Sequence, residues 1–260
     1  MNIQEYNSRA WDKAVEEADQ WTVPVSKELI EAARNGDWSV LLTPQRPVPR
    51  DWFGEVNGKD ILCLASGGGQ QAPILAAAGA QITSFDNSAR QLEQDYLVAE
   101  REGLEIRLVQ GDAADLSRFD DGSFDLIFNP CSNLFMPELE PLWRECFRVL
   151  RPGGELLAGI IKPAVFVFDR FEEETNGKLV VRHSLPYSDE DSLTQDELQR
   201  LIDDGQPLEY SHTLETQIGG QIDAGFLVTG FYEDYWLNGV SRLSEYMPTF
   251  IATRAFKPNA

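Results

Sequence analysis

The 260-residue sequence predicts a doubly wound α/β fold. Three observations carry that prediction. Short apolar runs alternate with amphipathic stretches from Asp60 to Ile161, the first run opens directly into Gly67-Gly68-Gly69, and an acidic residue, Asp86, closes the second. Strand and helix in alternation imply right-handed crossovers and a parallel sheet covered on both faces.

Ahead of the sheet, Trp11, Ala14, Val15, Ala18 and Trp21 form one apolar stripe, which predicts a helix over Ser8 to Trp21. A shorter helix is expected from Ser26 to Arg34, and Pro44, Pro47 and Pro49 then stiffen an extended approach to the first strand. Residues 1–58 are thus expected to be a helical cap and linker, with the main domain over 59–260. Strands are predicted at Ile61 to Ala65, Gln81 to Phe85, Ile106 to Val109, Phe124 to Asn129 and Glu155 to Ile161. Helices are predicted between them at Gln71 to Ala78, Ala89 to Glu102 and Glu138 to Leu150, the second opened by Ser88 with Gln91 three residues on. Arg151-Pro152-Gly153-Gly154 reads as a glycine cap and chain reversal. After Pro163 the rhythm breaks. Val165 to Phe168 and Leu179 to Arg182 around Asn176-Gly177 predict a hairpin, and Thr194 with Glu197 starts a short helix, so an insertion is expected over about 163–210. A helix near Leu214 to Ala224 and strands at Phe226 to Phe231 and Thr249 to Phe256 complete the chain.

Composition limits the partners. Lys plus Arg number 22 against 43 Asp plus Glu, a net charge of −21 that repels phosphate backbones and anionic membrane surfaces. No nucleic acid and no membrane is therefore expected as partner. Cys63, Cys131 and Cys146 are odd in number and widely spaced, which argues against a disulfide framework and a metal site and for a reducing cytoplasm. The N-terminus has no signal-peptide pattern, and no apolar run is long enough to span a bilayer, so a soluble, unprocessed protein is expected.

The chemistry concentrates at Ile61-Leu62-Cys63-Leu64-Ala65-Ser66-Gly67-Gly68-Gly69, where an apolar strand runs into glycines and then a helix. Glycine removes the side chain that blocks close approach and permits positive φ. The helix N-terminus that follows favours an anionic group. Gly67 to Ala72 also satisfies the G-x-G-x-x-A pattern of dinucleotide sites, and Asp86 is placed to accept hydrogen bonds from ribose hydroxyls in either cofactor type. An NAD(P)-dependent oxidoreductase and a non-catalytic cofactor-binding protein therefore stand as alternatives at this point.

With Gly111-Asp112-Ala113 after the third strand, Ser123-Phe124-Asp125-Leu126-Ile127 at the fourth, and Arg148 to Gly154 before the fifth, the chain resembles the class I S-adenosylmethionine-dependent methyltransferases, in particular their small-molecule "type 11" group. The resemblance covers Lys59 to Lys162 and, more loosely, Leu214 to Phe256. It implies a Rossmann-like αβα sandwich with a mostly parallel seven-stranded sheet and an antiparallel last strand. It also implies S-adenosylmethionine as cofactor, held by Ala65, Ser66, Gly67, Gly68, Gly69, Asp86, Asn87, Asp112, Ala113 and Asn129, with Asp112 on the adenine amino group. The sequence departs from the family's pattern at Cys63 and Ala65, where an acidic residue and a glycine are usual.

Methyl transfer from a sulfonium is an in-line displacement governed by positioning and water exclusion. A base is required only when the acceptor must lose a proton; His183 and His212 are the candidates. Asn129-Pro130-Cys131-Ser132 resembles the Asn-Pro-Pro-aromatic motif of DNA amino-methyltransferases but lacks its second proline and its aromatic. The loop is read instead as the wall of a pocket for a small-molecule acceptor, with Ser132 and Phe135 in it and Trp11 and Tyr187 closing from the helical cap and the insertion. A monomer or homodimer is expected.

Overall fold

The computed structural model describes residues 1–259. Two helices, α1 (Ile3–Glu16) and α2 (Lys27–Arg34), precede the first strand. The core then runs β1 (Asp60–Leu64), α3 (Gln71–Ala77), β2 (Gln81–Asp86), α4 (Ala89–Glu102), β3 (Ile106–Gln110), β4 (Phe124–Asn129), α5 (Glu140–Val149) and β5 (Leu150–Ile161). Short helices α6 (Arg170–Asn176), α7 (Asp189–Ser192) and α8 (Gln195–Asp203) follow in the insertion, then α9 (Gly220–Asp223), β6 (Leu227–Asp234) and β7 (Phe250–Phe256).

The strands form one seven-stranded sheet in the order β3-β2-β1-β4-β5-β7-β6. All pair in parallel except β7, which runs antiparallel to both β5 and β6. This is the Rossmann-like sandwich with a reversed last strand. The chain turns back between β1 and β4, so a crevice opens beyond their carboxyl ends, the usual place for a ligand in a doubly wound sheet.

Period-two alternation divides the core between the two faces. Ile61 and Cys63 of β1 pack with Ile82, Leu126 and Phe128 on one side, whereas Leu62 and Leu64 pack with Ile127, Trp143 and Cys146 on the other. The segment between α2 and β1 is integral to the first face, because Trp38, Leu42, Trp52 and Phe53 are buried in it. Gly159 makes this possible: a Cβ there would collide with the Leu42 carbonyl, which accepts the Cys131 N–H at 3.1 Å.

Four local expectations need correction. The N-terminal helix starts earlier than Ser8, capped by the Asn2 side chain, and stops at Glu16 because Ala18 takes φ +54°. Trp21 instead sits in a separate 3-10 turn capped by Asp19. The expected hairpin around Asn176-Gly177 is α6: the Asp169 carboxylate accepts the Phe171 and Glu172 N–H groups, and Gly177 closes the helix in the left-handed region at φ +62°. Of the hairpin only one antiparallel bridge remains, Phe168 to Val181. Nor does Arg151-Pro152-Gly153-Gly154 cap α5. The helix ends on extended Leu150, and the four residues form an irregular start to β5, where Gly153 donates to the Lys257 carbonyl at 2.9 Å. Near Leu214 to Ala224 the chain opens with a π-helical turn, Glu215–Gly219, wound against Trp143, whose Nε1 donates to the Thr216 carbonyl.

Candidate active site

A cavity of about 1370 Å³ lies over the carboxyl ends of β1, β2 and β4 and continues beneath α1 and the insertion. At one end stand Ala65, Ser66 and Gly67 from the bend after β1, Asp86 and Asn87 from the end of β2, and Asp112 and Ala113 after β3. At the other end stand Trp11, Ser132, Phe135, His183 and Tyr187. The structure thus brings twelve of the sixteen expected site residues onto one wall system.

The remaining four lie outside it. Gly68 and Gly69 adopt φ +106° and +72°, but the close approach they permit is to protein: a Cβ on Gly68 would lie 2.9 Å from the Trp21 carbonyl, and one on Gly69 2.9 Å from Pro24 Cβ. Asn129 is fully buried below the floor, its Nδ2 donating to the Leu64 carbonyl at 3.1 Å and to Ser132 Oγ at 2.9 Å, so it ties the ends of β1 and β4 together. His212 is buried with its Nε2 2.8 Å from the Met136 carbonyl, a structural contact away from the cavity. Burial holds its pKa below the ordinary value.

The bend itself is held by two carboxylates. Asp86 accepts the Gly67 N–H at 3.0 Å through one oxygen and the Ser88 N–H at 2.9 Å through the other; burial nevertheless raises its pKa. Asp95, on α4, accepts the Gly69 N–H at 2.8 Å and the Ser84 hydroxyl at 2.5 Å. It is completely buried, and burial lifts its pKa to about 7. Sequence reading overlooked Asp95, although a signal existed: it falls on the apolar face of α4 with Leu92, Val98 and Ala99. Ala65 enters the bend with φ +47°, a strained conformation for a residue with a side chain, at the position where glycine is usual in the resembling family. Asp112 spends one oxygen on the Ala114 N–H at 2.9 Å and faces the cavity.

Helix α1 roofs the site because polar side chains along its middle bolt it to both ends of the cavity. Ser8 donates to the Asn87 carbonyl and Asp12 accepts the Ser88 hydroxyl at 2.6 Å, while the Asn7 amide donates to the carbonyls of Phe135 and Leu208. Trp11 is thereby set edge-on against Phe135, with ring centroids 5.1 Å apart. Trp236 closes another wall, edge-on to Phe250 at 4.7 Å. Near it in the chain, Phe231 and Tyr235 are solvent-exposed and Tyr232 is buried beside Trp52. In the insertion His183 packs on Tyr187 at 5.0 Å, and burial, with Arg182 next to it, lowers its pKa. Sequence reading gave no sign of the group formed by half-buried Arg170 and Glu209 and buried Asp189, because it is assembled from three separate segments.

All three cysteines are free; burial raises each thiol, Cys131 to about 12. Among the described residues no group of acidic, histidine and cysteine side chains is arranged to hold a metal, and no helix is long and apolar enough to cross a membrane.

Comparison with known proteins agrees with this architecture. Residues 62–158 match the family model described as "Methyltransferase domain". The chain is 50% identical over 252 residues to a Bacillus subtilis protein described as "Uncharacterized methyltransferase YbaJ", covering 97% of each. It is 32% identical over 130 residues to a sarcosine/dimethylglycine N-methyltransferase of Halorhodospira halochloris, covering 45% of this chain and 46% of that one. Among solved structures, an S-adenosylmethionine-dependent methyltransferase from Mesorhizobium loti superimposes with TM-score 0.61 at 18% identity, over 80% of this chain and 94% of that one. A Burkholderia thailandensis 1,6-didemethyltoxoflavin-N1-methyltransferase superimposes with TM-score 0.58 at 12% identity, over 98% of this chain and 88% of the other. These likenesses favour neither the oxidoreductase nor the non-catalytic reading. By its full-length relationship to a methyltransferase the chain belongs to the methyltransferases, and its fold is that of the S-adenosylmethionine-dependent ones.

Proposed function

We propose that the enzyme transfers the methyl group to a small-molecule acceptor enclosed beneath α1 and the insertion, with the cofactor lying against Ala65 to Gly67, Asp86 and Asp112. The observation that carries this reading is the continuity of the cavity, whose volume of about 1370 Å³ accommodates a nucleoside-sized cofactor and a second small molecule together. The residues fit the cofactor's chemistry. Two carboxylates face the cavity from the ends of neighbouring strands, and Ser66 Oγ is buried beside the bend without a hydrogen-bond partner. When bound, S-adenosylmethionine supplies a methyl group on a sulfonium. The protein's own contribution is to orient and to exclude water: Asp86 and Asp112 accept from ribose and adenine, and Trp11, Phe135 and Trp236 shut the aromatic chamber.

Should the acceptor have to lose a proton, His183 is the candidate base, since it stands on the cavity wall and its lowered pKa keeps it neutral near pH 7. His212 and Asn129 are assigned to structure, and Gly68 and Gly69 to the seating of Trp21 to Pro24. The free thiols, buried at Cys63 and Cys146 and half-buried at Cys131, support a reducing compartment.

Calorimetric titration tests the reading. S-adenosylmethionine and its demethylated product are expected to bind and NAD is not; Asp86→Ala and Asp112→Ala, shown to be folded by circular dichroism, should each lose at least about ten-fold in affinity, the loss of a charge-assisted hydrogen bond. Equal affinity in the folded variants overturns the placement of the cofactor.

A further inference from the structure

Among the ionisable side chains of the cavity wall the acidic ones outnumber the basic, beyond the cofactor's two contacts. Besides Asp86 and Asp112, its wall carries Glu17, Asp19, Asp37, Glu138 and Glu209, against a single cationic side chain, Arg170, among the described residues. Arg170 is moreover already engaged. Its Nη2 lies 3.1 Å from Asp189 Oδ1, and Asp189 is almost completely buried, accepting also the Tyr187 hydroxyl at 2.6 Å and the Glu209 N–H at 2.8 Å. Glu209 itself receives only a loose contact, with Arg170 Nη1 at 3.5 Å from Oε2. One cation thus serves two carboxylates, and the one it serves poorly faces the cavity.

The surroundings of Glu209 locate this carboxylate in the acceptor half of the cavity. Leu208 is bonded to Asn7 of α1, and Tyr210 N–H donates to the Leu134 carbonyl, so Glu209 lies between the helix carrying Trp11 and the loop carrying Ser132 and Phe135. The rings of Phe166 and Tyr187, 5.4 Å apart, line the same cavity, and the Tyr187 hydroxyl shares Asp189 with the Glu209 N–H. Aromatic faces beside an under-neutralised carboxylate attract an ammonium and repel a carboxylate or phosphate.

We propose that the acceptor is an amine: a small molecule with an apolar or aromatic body and a basic nitrogen that docks against Glu209. This rests on the reading of the chamber as the acceptor site. Burial first, with Asp189 and Glu174 adding to it and Arg170 opposing, raises the Glu209 carboxyl to about 7, a state that an incoming cation reverses. An anionic acceptor would be repelled by the same carboxylates.

The test uses the full-length protein at pH 8. S-adenosylhomocysteine is titrated first by calorimetry, and absence of binding overturns the cofactor placement and this inference with it. The protein saturated with that product is then titrated with 4-phenylbutylamine, 4-phenylbutanol and 4-phenylbutyrate. The expected result is an amine bound at least about ten-fold more tightly than the carboxylate, with the alcohol between them. Glu209→Gln should remove the preference for the amine while leaving affinity for S-adenosylhomocysteine within about two-fold, which also shows that the variant is folded. Product binding without a preference for the amine, including the case in which no probe binds, overturns the amine assignment alone, as does an unchanged preference in Glu209→Gln. The comparison of probes on the unaltered protein stands even where the variant fails to fold.

Discussion

Replacing Asp95 by asparagine should stabilise the enzyme, and more so as the pH rises. Asp95 is fully buried, and its carboxyl titrates near 7 in the folded chain against an ordinary 3.8, so folding favours its protonated form. Between those two values the folded state holds more proton than the unfolded state, and stability falls as pH rises through that window. From the two pKa values, the cost of carrying Asp95 is on the order of 2 kcal/mol at pH 5 and 4 kcal/mol at pH 8. Asparagine keeps the geometry without the charge: its carbonyl oxygen accepts from Gly69 N–H as Asp95 Oδ1 does, and its amide donates to Ser84 Oγ. Urea unfolding followed by tryptophan fluorescence at both pH values measures the difference, with an unchanged denaturant slope as the check on two-state behaviour. The advantage of Asp95→Asn over the parent should widen by about 2 kcal/mol from pH 5 to pH 8. An equal difference at the two pH values, or a variant weaker than the parent at pH 8, refutes the claim that burial disfavours the Asp95 charge in the folded chain. Asp95→Ala makes the complementary point: it also removes the titrating carboxyl but strands the Gly69 N–H and the Ser84 hydroxyl, so it should lie about 1–3 kcal/mol below Asp95→Asn at either pH.

Three further outcomes follow from the same geometry. Gly159→Ala drives a methyl group into the Leu42 carbonyl and should cost about 3 kcal/mol, read as a lower urea midpoint; a midpoint equal to the parent's would mean that the segment between α2 and β1 is free to move. Trp11→Ala removes the ring set against Phe135, and the product-saturated variant should bind 4-phenylbutanol at least about ten-fold more weakly while binding S-adenosylhomocysteine nearly as before; no change in either would show that the roof does not touch the acceptor. Ala65→Gly relieves the left-handed strain of about 1–2 kcal/mol but loosens the unfolded chain by roughly half of that, so a net gain of up to about 1 kcal/mol is expected, and a loss would mean that the Ala65 methyl group packs against something.

The parts of this molecule that were legible in the sequence are those governed by local pattern. Five apolar runs became β1 to β5, most plainly in β1 and β4, where a strand buried on both faces needs no other signal, and Asp86 and Asp112 reached the cavity because strand ends in a doubly wound sheet converge there. Asn176-Gly177 misled because the same pair closes a helix as readily as a hairpin; the Asp169 cap and the acids at Glu172 and Glu173 were the better signal. The glycine run was correctly read as a place of close approach, but for Gly68 and Gly69 the approaching group is the backbone from Trp21 to Pro24, a tertiary contact that no spacing encodes. Glu209 was invisible for the same reason, since its meaning depends on Asp189 having exhausted its own hydrogen bonds elsewhere.

Charge ties the two halves of the cavity together and leads to a last expectation. On sequence alone the surplus of acidic residues reads as a solvated surface; in the folded chain seven of those carboxylates line one cavity. A positively charged sulfonium enters such a field favourably, and the product, which has lost that charge at sulfur, is held less firmly by the same walls. Substrate over product should therefore be preferred by several-fold at low ionic strength, and the preference should shrink as salt is raised from about 0.02 M to 0.5 M, since partly exposed carboxylates are screened. Competition titrations of S-adenosylmethionine against S-adenosylhomocysteine across that range measure it. A ratio of affinities independent of salt would mean that only Asp86 and Asp112, each engaged at close range, sense the cofactor, and that the outer carboxylates act on the acceptor alone.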